Sequence, residues 1–178
     1  MKAIFITILT IAPLATFAQG HEWTVVGNKA TMQSVITAPG QDANQIYKHV
    51  NRWLLATFKN PEHVVKARIE SEYVRGDAYH ANVYQLGALS SVDFRYTFTI
   101  DIKDEKLRLT LSRGLVLYDN PQQRNIVQPL EYYFGLIEKK KKTDHPRKLI
   151  AAINTMSSEL VRSLQNYLQT EYSMQDDW

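Results

Sequence analysis

The sequence predicts an α+β domain in which one antiparallel β-sheet is packed on one face by helices. Three observations lead there. Apolar residues recur at helical spacing from Ile46 to Phe58, alternate strictly from Val92 to Ile102 and again from Leu107 to Leu111, and recur at helical spacing once more from Leu149 to Leu168. The chain has 178 residues, 44% hydrophobic and 22% charged, which suits a single domain and argues against disordered or collagen-like classes. With no Cys, disulfide frameworks, zinc–thiolate centres and Cys nucleophiles are excluded.

The chain starts as an export signal does. Met1-Lys2 is positive, Ala3 to Leu14 is mostly apolar, and Ala15-Thr16-Phe17-Ala18 offers small residues before a cut at Gln19. That run is shorter than the roughly 20 residues needed to cross a bilayer. Residues 1–18 are therefore expected to be a signal peptide, and residues 19–178 one α+β domain, exported to the periplasm or beyond.

Residues 19–31 are polar and read as a lead-in. Alternation from Met32 to Thr37 gives a first strand, stopped by Pro39-Gly40. Asp42 suits an N-cap, and Ile46, Val50, Trp53, Leu54 and Phe58 form the apolar face of the helix that follows, which Asn60-Pro61 ends. After Pro61 the period changes to two. Val65, Ala67 and Ile69 form one strand, and Glu70-Ser71-Glu72 a turn. Tyr73 to Val83 forms a second strand, with Gly76 as a bulge or kink. Beyond a loop at 87–91, Val92, Phe94, Tyr96, Phe98, Ile100 and Ile102 point one way, and Asp93, Arg95, Thr97, Thr99 and Asp101 the other. Asp104-Glu105 turns the chain into Leu107, Leu109 and Leu111.

Two helices close the chain. Pro129 suits the first turn of one with Leu130, Phe134 and Ile137 on its inner face. Asp144 or His145 caps the other, and the residues from Gln175 read as a tail.

Charge is concentrated in one place. The net charge is +3, yet Lys139, Lys140, Lys141, Lys142, Arg147 and Lys148 lie within one segment that holds two acids, Glu138 and Asp144. No extended basic face remains for nucleic acid. The Lys139–Lys142 run reads as a solvated connection between helices, at the negative end of the helix before it, with a site for an anionic lipid headgroup or polysaccharide as the alternative.

The helix Ile46-Tyr47 through Arg52-Trp53 to Phe58 is similar to the "IY…W…F" helix of a bacterial family, domain of unknown function 4468. Ile100-Asp101-Ile102-Lys103-Asp104 followed by Lys106-Leu107-Arg108 resembles that family's "KDGKYR" turn, with Glu105 in place of Gly and Leu107 in place of Tyr. The resemblance covers roughly residues 32–115. It implies a TATA-box-binding-protein-like (TBP-like) fold of β-α-β4-α type and occurrence in exported proteins of Bacteroidota. It implies no activity and transfers no functional residue.

No constellation for chemistry stands out. His21, His49, His63, His80 and His145 have no metal-ligand spacing, no Ser sits in a nucleophile elbow, and seven isolated Gly form no phosphate loop. Glu70, Glu72, Asp101, Asp104 and Glu105 fall beside turns, where carboxylates solvate and cap, a glycosidase pair or calcium site being the alternative. Arg75-Gly76-Asp77 spells an adhesion tripeptide but lies in a predicted strand. Tyr73, Tyr79 and Tyr84 read as core edge or as a rim for stacking. Arg95 and Arg108 offer two guanidinium groups on adjacent strands, suited to an anion clamp or to cross-strand pairing with Asp93 and Asp101.

The sequence thus leads to a non-enzymatic binding or interaction module of the cell envelope, acting through the polar sheet face. It needs no catalytic residue, metal or cofactor. The expected partner is an envelope protein or surface ligand, and the chain a monomer or weak dimer without a membrane span. The alternative is a carrier of small hydrophobic ligands with a helix-grip cavity. That fold normally has two short helices before the sheet and more strands than the pattern reveals.

Overall fold

The structure, a computed structural model, describes residues 21–87, 90–120, 123–140 and 144–175. The predicted signal peptide lies outside them. Seven strands form one antiparallel sheet: β1 (Thr24–Val26), β2 (Lys29–Thr37), β3 (Val65–Ile69), β4 (Tyr73–Gln85), β5 (Ser91–Lys103), β6 (Lys106–Asn120) and β7 (Gln123–Pro129). The order is β1-β2-β6-β5-β4-β3. The long strand β6 pairs with β2 through its first half and with β7 through its second. Four helices complete the fold: α1 (Ala43–Thr57), α2 (Pro61–Val64), α3 (Leu130–Glu138) and α4 (Asp144–Gln175).

The predicted α+β architecture holds, but the sheet has more strands than the four after the first helix that the alternation suggested. Two elements were hidden. β7 has no clean alternation, and β1 sits in the segment read as a lead-in. That reading is corrected by Trp23, which is 2% exposed and packs edge-on against Phe94 at 5.6 Å. The Trp23 indole donates to Ser157 Oγ (2.9 Å), and its backbone N–H donates to Asn154 Oδ1 (3.0 Å), both on α4.

α1 forms as its sequence dictates. Asp42 and Gln45 make a reciprocal capping box, and Ile46, Val50, Trp53 and Leu54 are buried. Trp53 and Phe98 share one core through Phe58, which lies edge-on to Trp53 and stacks on Phe98 at 5.8 Å. Gln41 fastens this corner: its amide donates to the Leu168 carbonyl and its Oε1 bonds the buried His49 Nδ1. On α3 the buried residues are Leu130 and Tyr133, whereas the predicted Phe134 and Ile137 are half-buried.

Bulges shape the sheet. Gly76 is not itself the bulge; the extra residue is Lys66 on β3, across from it. Gly76 is required because a Cβ there would lie 2.5 Å from the Phe98 ring and 2.6 Å from the Val64 carbonyl. Arg113 and Gly114 together oppose Tyr96, and residues 81–83 oppose Asp93. Arg113 and Asn82 have φ of 55° and 56°, the left-handed backbone that such irregularities use.

Candidate interaction face

The inner sheet face is filled. Met32, Phe94, Phe98, Ile100, Leu109 and Leu111 are each at most 1% exposed beneath the helices. The outer face carries no covering element among the described residues, so its side chains meet solvent in rows set by strand register. One row is Gln33–Thr110–Thr99–Arg75; the next is Val35–Arg108–Asp101–Tyr73–Ile69.

This register settles the two arginines. Arg108 lies across from Asp101 and donates two hydrogen bonds to its Oδ2 (2.9 and 3.1 Å), the cross-strand pairing foreseen. Arg95 is six residues back along β5, opposite Leu115, with no ion-pair partner among the described residues. The two guanidinium groups do not converge on one anion.

The face is divided. Towards the β5–β6 turn its central strands are polar, and Thr97 donates to Asp77 (2.7 Å), while Val35 and Ile69 are exposed on the flanking strands β2 and β3. Beyond the β6 bulge it turns apolar: Leu115 and Leu117 are half-exposed, Val127 on β7 is 48% exposed and Tyr79 on β4 is 52% exposed. Register places Leu117 between Asp93 and Val127, and Leu115 between Arg95 and Pro129. Asp93 accepts from the Tyr79 hydroxyl and from the Asn82 backbone N–H, so it fills the irregularity in β4.

The other sequence candidates resolve into structure-building roles. Asp104 accepts from the Ala43 N–H (2.9 Å), anchoring the start of α1 to the β5–β6 turn. Glu105 accepts weakly from Gly40 (3.4 Å) and has φ of 61°, the conformation for which Gly is best suited. Glu70 and Glu72 are exposed around the left-handed Ser71 (φ 61°). Arg75-Gly76-Asp77 is extended within β4, its glycine beneath Phe98. Of the Lys139–Lys142 run, Lys139 and Lys140 are exposed, and 141–142 lie outside the described residues.

One cluster went unseen in the sequence. At the far end of the sheet, Tyr118 bonds His145 Nε2 (3.0 Å) and the Tyr133 hydroxyl, while Tyr84 lies against the His145 ring at 5.6 Å. Burial lowers the His145 pKa and raises the pKa of both Tyr118 and Tyr133. These residues come from β4, β6, α3 and α4, and no local spacing could have joined them. His80, whose pKa burial also lowers, stacks on Tyr96 at 5.8 Å. Among the described residues, no three His, Asp or Glu side chains gather as a metal site. The larger depressions are open surface grooves, such as one along α4 lined by Glu159, Arg162, Asn166 and Tyr167.

The family model for DUF4468, a domain of unknown function with TBP-like fold, matches residues 32–114. The chain resembles the DUF4468 family. A TBP-like protein from Parabacteroides distasonis is 10% identical with a TM-score of 0.69, covering 82% of this chain and 96% of its own. A DUF4468 family protein from Bacteroides ovatus is 13% identical with a TM-score of 0.62, covering 82% and 90%. At these identities the likeness is one of fold, and it bears out the TBP-like reading. No curated protein matches the chain.

Proposed function

We propose that this protein is a non-enzymatic interaction module of the bacterial cell envelope, and that it holds a partner against the outer face of its sheet. The observation that carries this reading is the division of the sheet. The helices and the buried side chains occupy one face, while the other presents register-aligned polar and apolar rows to solvent. A face of that kind recognises another surface through complementarity rather than by enclosing a small molecule. Export rests on the signal-like residues 1–18, and the envelope compartment on the resemblance stated above. The test is cross-linking in intact cells through a photoreactive residue at Thr99 or Thr110, followed by mass spectrometry of the envelope fraction. Specific adducts from the outer face, absent from probes on α4, are expected. Labelling no different from that of α4 would defeat the reading.

A second reading has its own support. Two helices between the first core strand and β3, a seven-stranded sheet and a long C-terminal helix are the layout of a helix-grip carrier. Against it, Trp23, Phe94 and Tyr96 occupy the space a ligand would need beneath α4. Native mass spectrometry of the purified chain separates the two, since a carrier retains a stoichiometric apolar molecule.

A further inference from the structure

We infer that the apolar end of the outer face is a self-association surface, and that its occupant is a second copy of this chain. The inference deepens the proposed reading and rests on the outer face being a contact surface. Along β5, Asp93 and Arg95 point outward two residues apart; beside them on β6 stand Leu117 and Leu115, and beyond those Val127 and Pro129. The patch therefore consists of two short rows of like design, acidic–apolar–apolar and basic–apolar–apolar.

A two-fold axis lying in the interface, across the strands and midway between these rows, exchanges one row for the other. It sets Arg95 over the second copy's Asp93 at both ends of the exchange. The same operation lays the leucines of β6 on their counterparts and Val127 against Pro129. Opposite charges meet and apolar groups meet, with Asp93 keeping its bonds to Tyr79 and the Asn82 N–H and Tyr79 flanking Arg95, which is the self-complementarity that an isologous contact demands. Facing strands remain aligned, as in ordinary sheet-on-sheet packing. Arg95 is exposed and has no ion-pair partner within its own chain among the described residues, so its guanidinium is available to such a contact.

The extent of the overlap sets its strength. About four strands, each overlapping over some six residues, give roughly 400 Å² per partner. That is half of the roughly 800 Å² typical of a standard interface, so the dimer is weak and exchanges rapidly.

Sedimentation equilibrium of the purified chain lacking residues 1–18 tests this, from about 10 μM to 1 mM, the range in which a contact of this size associates. The expected mass rises towards two chains with concentration. Arg95→Glu places like charges in contact and is expected to remain monomeric, as is Leu117→Asp, while Lys103→Glu at the opposite end of the sheet dimerises as before. Asp93→Lys is expected to be monomeric alone, yet to form a mixed dimer with Arg95→Glu, because each chain then meets opposite charges. If Asp93→Lys fails to fold, the Arg95→Glu and Leu117→Asp results decide. A monomeric wild-type chain at the highest concentration, or an Arg95→Glu chain that dimerises like wild type, overturns the inference. Because this experiment uses the isolated chain, its failure is distinct from a failure to capture an envelope partner.

Discussion

The two ends of the sheet are fastened to α4 by the same device. Near the β5–β6 turn, the Trp53 indole donates to Ser163 Oγ (3.2 Å); at the opposite end, Trp23 donates to Ser157 Oγ (2.9 Å). What surrounds each tryptophan differs. Along α1, the helix that carries Trp53, the further ties lie at its start: Asp42 on Gln45, Asp104 on Ala43, and Gln41 bridging His49 to Leu168. Around Trp23 the sheet is interrupted by bulges, and the further fastening at that end is the Tyr118–His145 contact, which includes an imidazole. Each end carries an imidazole, His49 beside Gln41 and His145 beside Tyr118, and burial lowers the pKa of the second.

The most severe way to break either end is to remove its tryptophan. Trp53→Ala and Trp23→Ala are each expected to cost about 3–5 kcal/mol in chemical denaturation. Equality of the two would establish that the short β1 segment is as integral as α1. A near-neutral Trp23→Ala would return it to the status of a lead-in. Gly76→Ala comes next. Its added methyl meets both an aromatic ring and a backbone carbonyl, so a loss of about 1–3 kcal/mol is expected from overpacking.

Smaller effects sharpen the contrast. Asp42→Ala removes the α1 cap and is expected to lose about 1 kcal/mol. The far end should respond to pH. Burial lowers the His145 pKa from 6.5, so the stability it contributes is complete above the unfolded-state value and lost as pH falls through the lower folded-state value. Thermal melts should therefore show a decline on acidification that is shallower in His145→Gln, with His80, shifted the same way, supplying part of what remains. The weakest effect belongs to Arg108→Ala. Its ion pair with Asp101 is exposed, and its loss should change stability by about 0–1 kcal/mol, less at high salt.

The same contrast explains how much the sequence disclosed. The Trp53 end was legible because its determinants are local: helical spacing from Ile46 to Phe58, Asp42 before Gln45, and two-residue alternation through Ile100 and Ile102. The Trp23 end was not. Its strand is only three residues long, β7 lacks alternation, and Tyr84, Tyr118, Tyr133 and His145 meet from four separate elements. The outer face was half legible. Alternation correctly assigned Arg95 and Arg108 to it, but the β5–β6 register, which sets Arg108 opposite Asp101, decides that they stand apart. Local pattern does not encode cross-strand register once a bulge shifts the count.

The shared strand β6 bears on the order in which the molecule assembles. Its pairing with β5 closes through two residues, and its pairing with β7 is also between neighbours in the chain. Its pairing with β2 joins segments 69 residues apart even at their nearest partners, Thr37 and Lys106. Loop-closure entropy makes the distant pairing a late event, so the β5–β6 hairpin is expected to act as the nucleus onto which β2 later docks. Substitutions such as Leu109→Ala should then slow refolding. Met32→Ala, on β2, should mainly hasten unfolding, a division that stopped-flow chevrons would read directly.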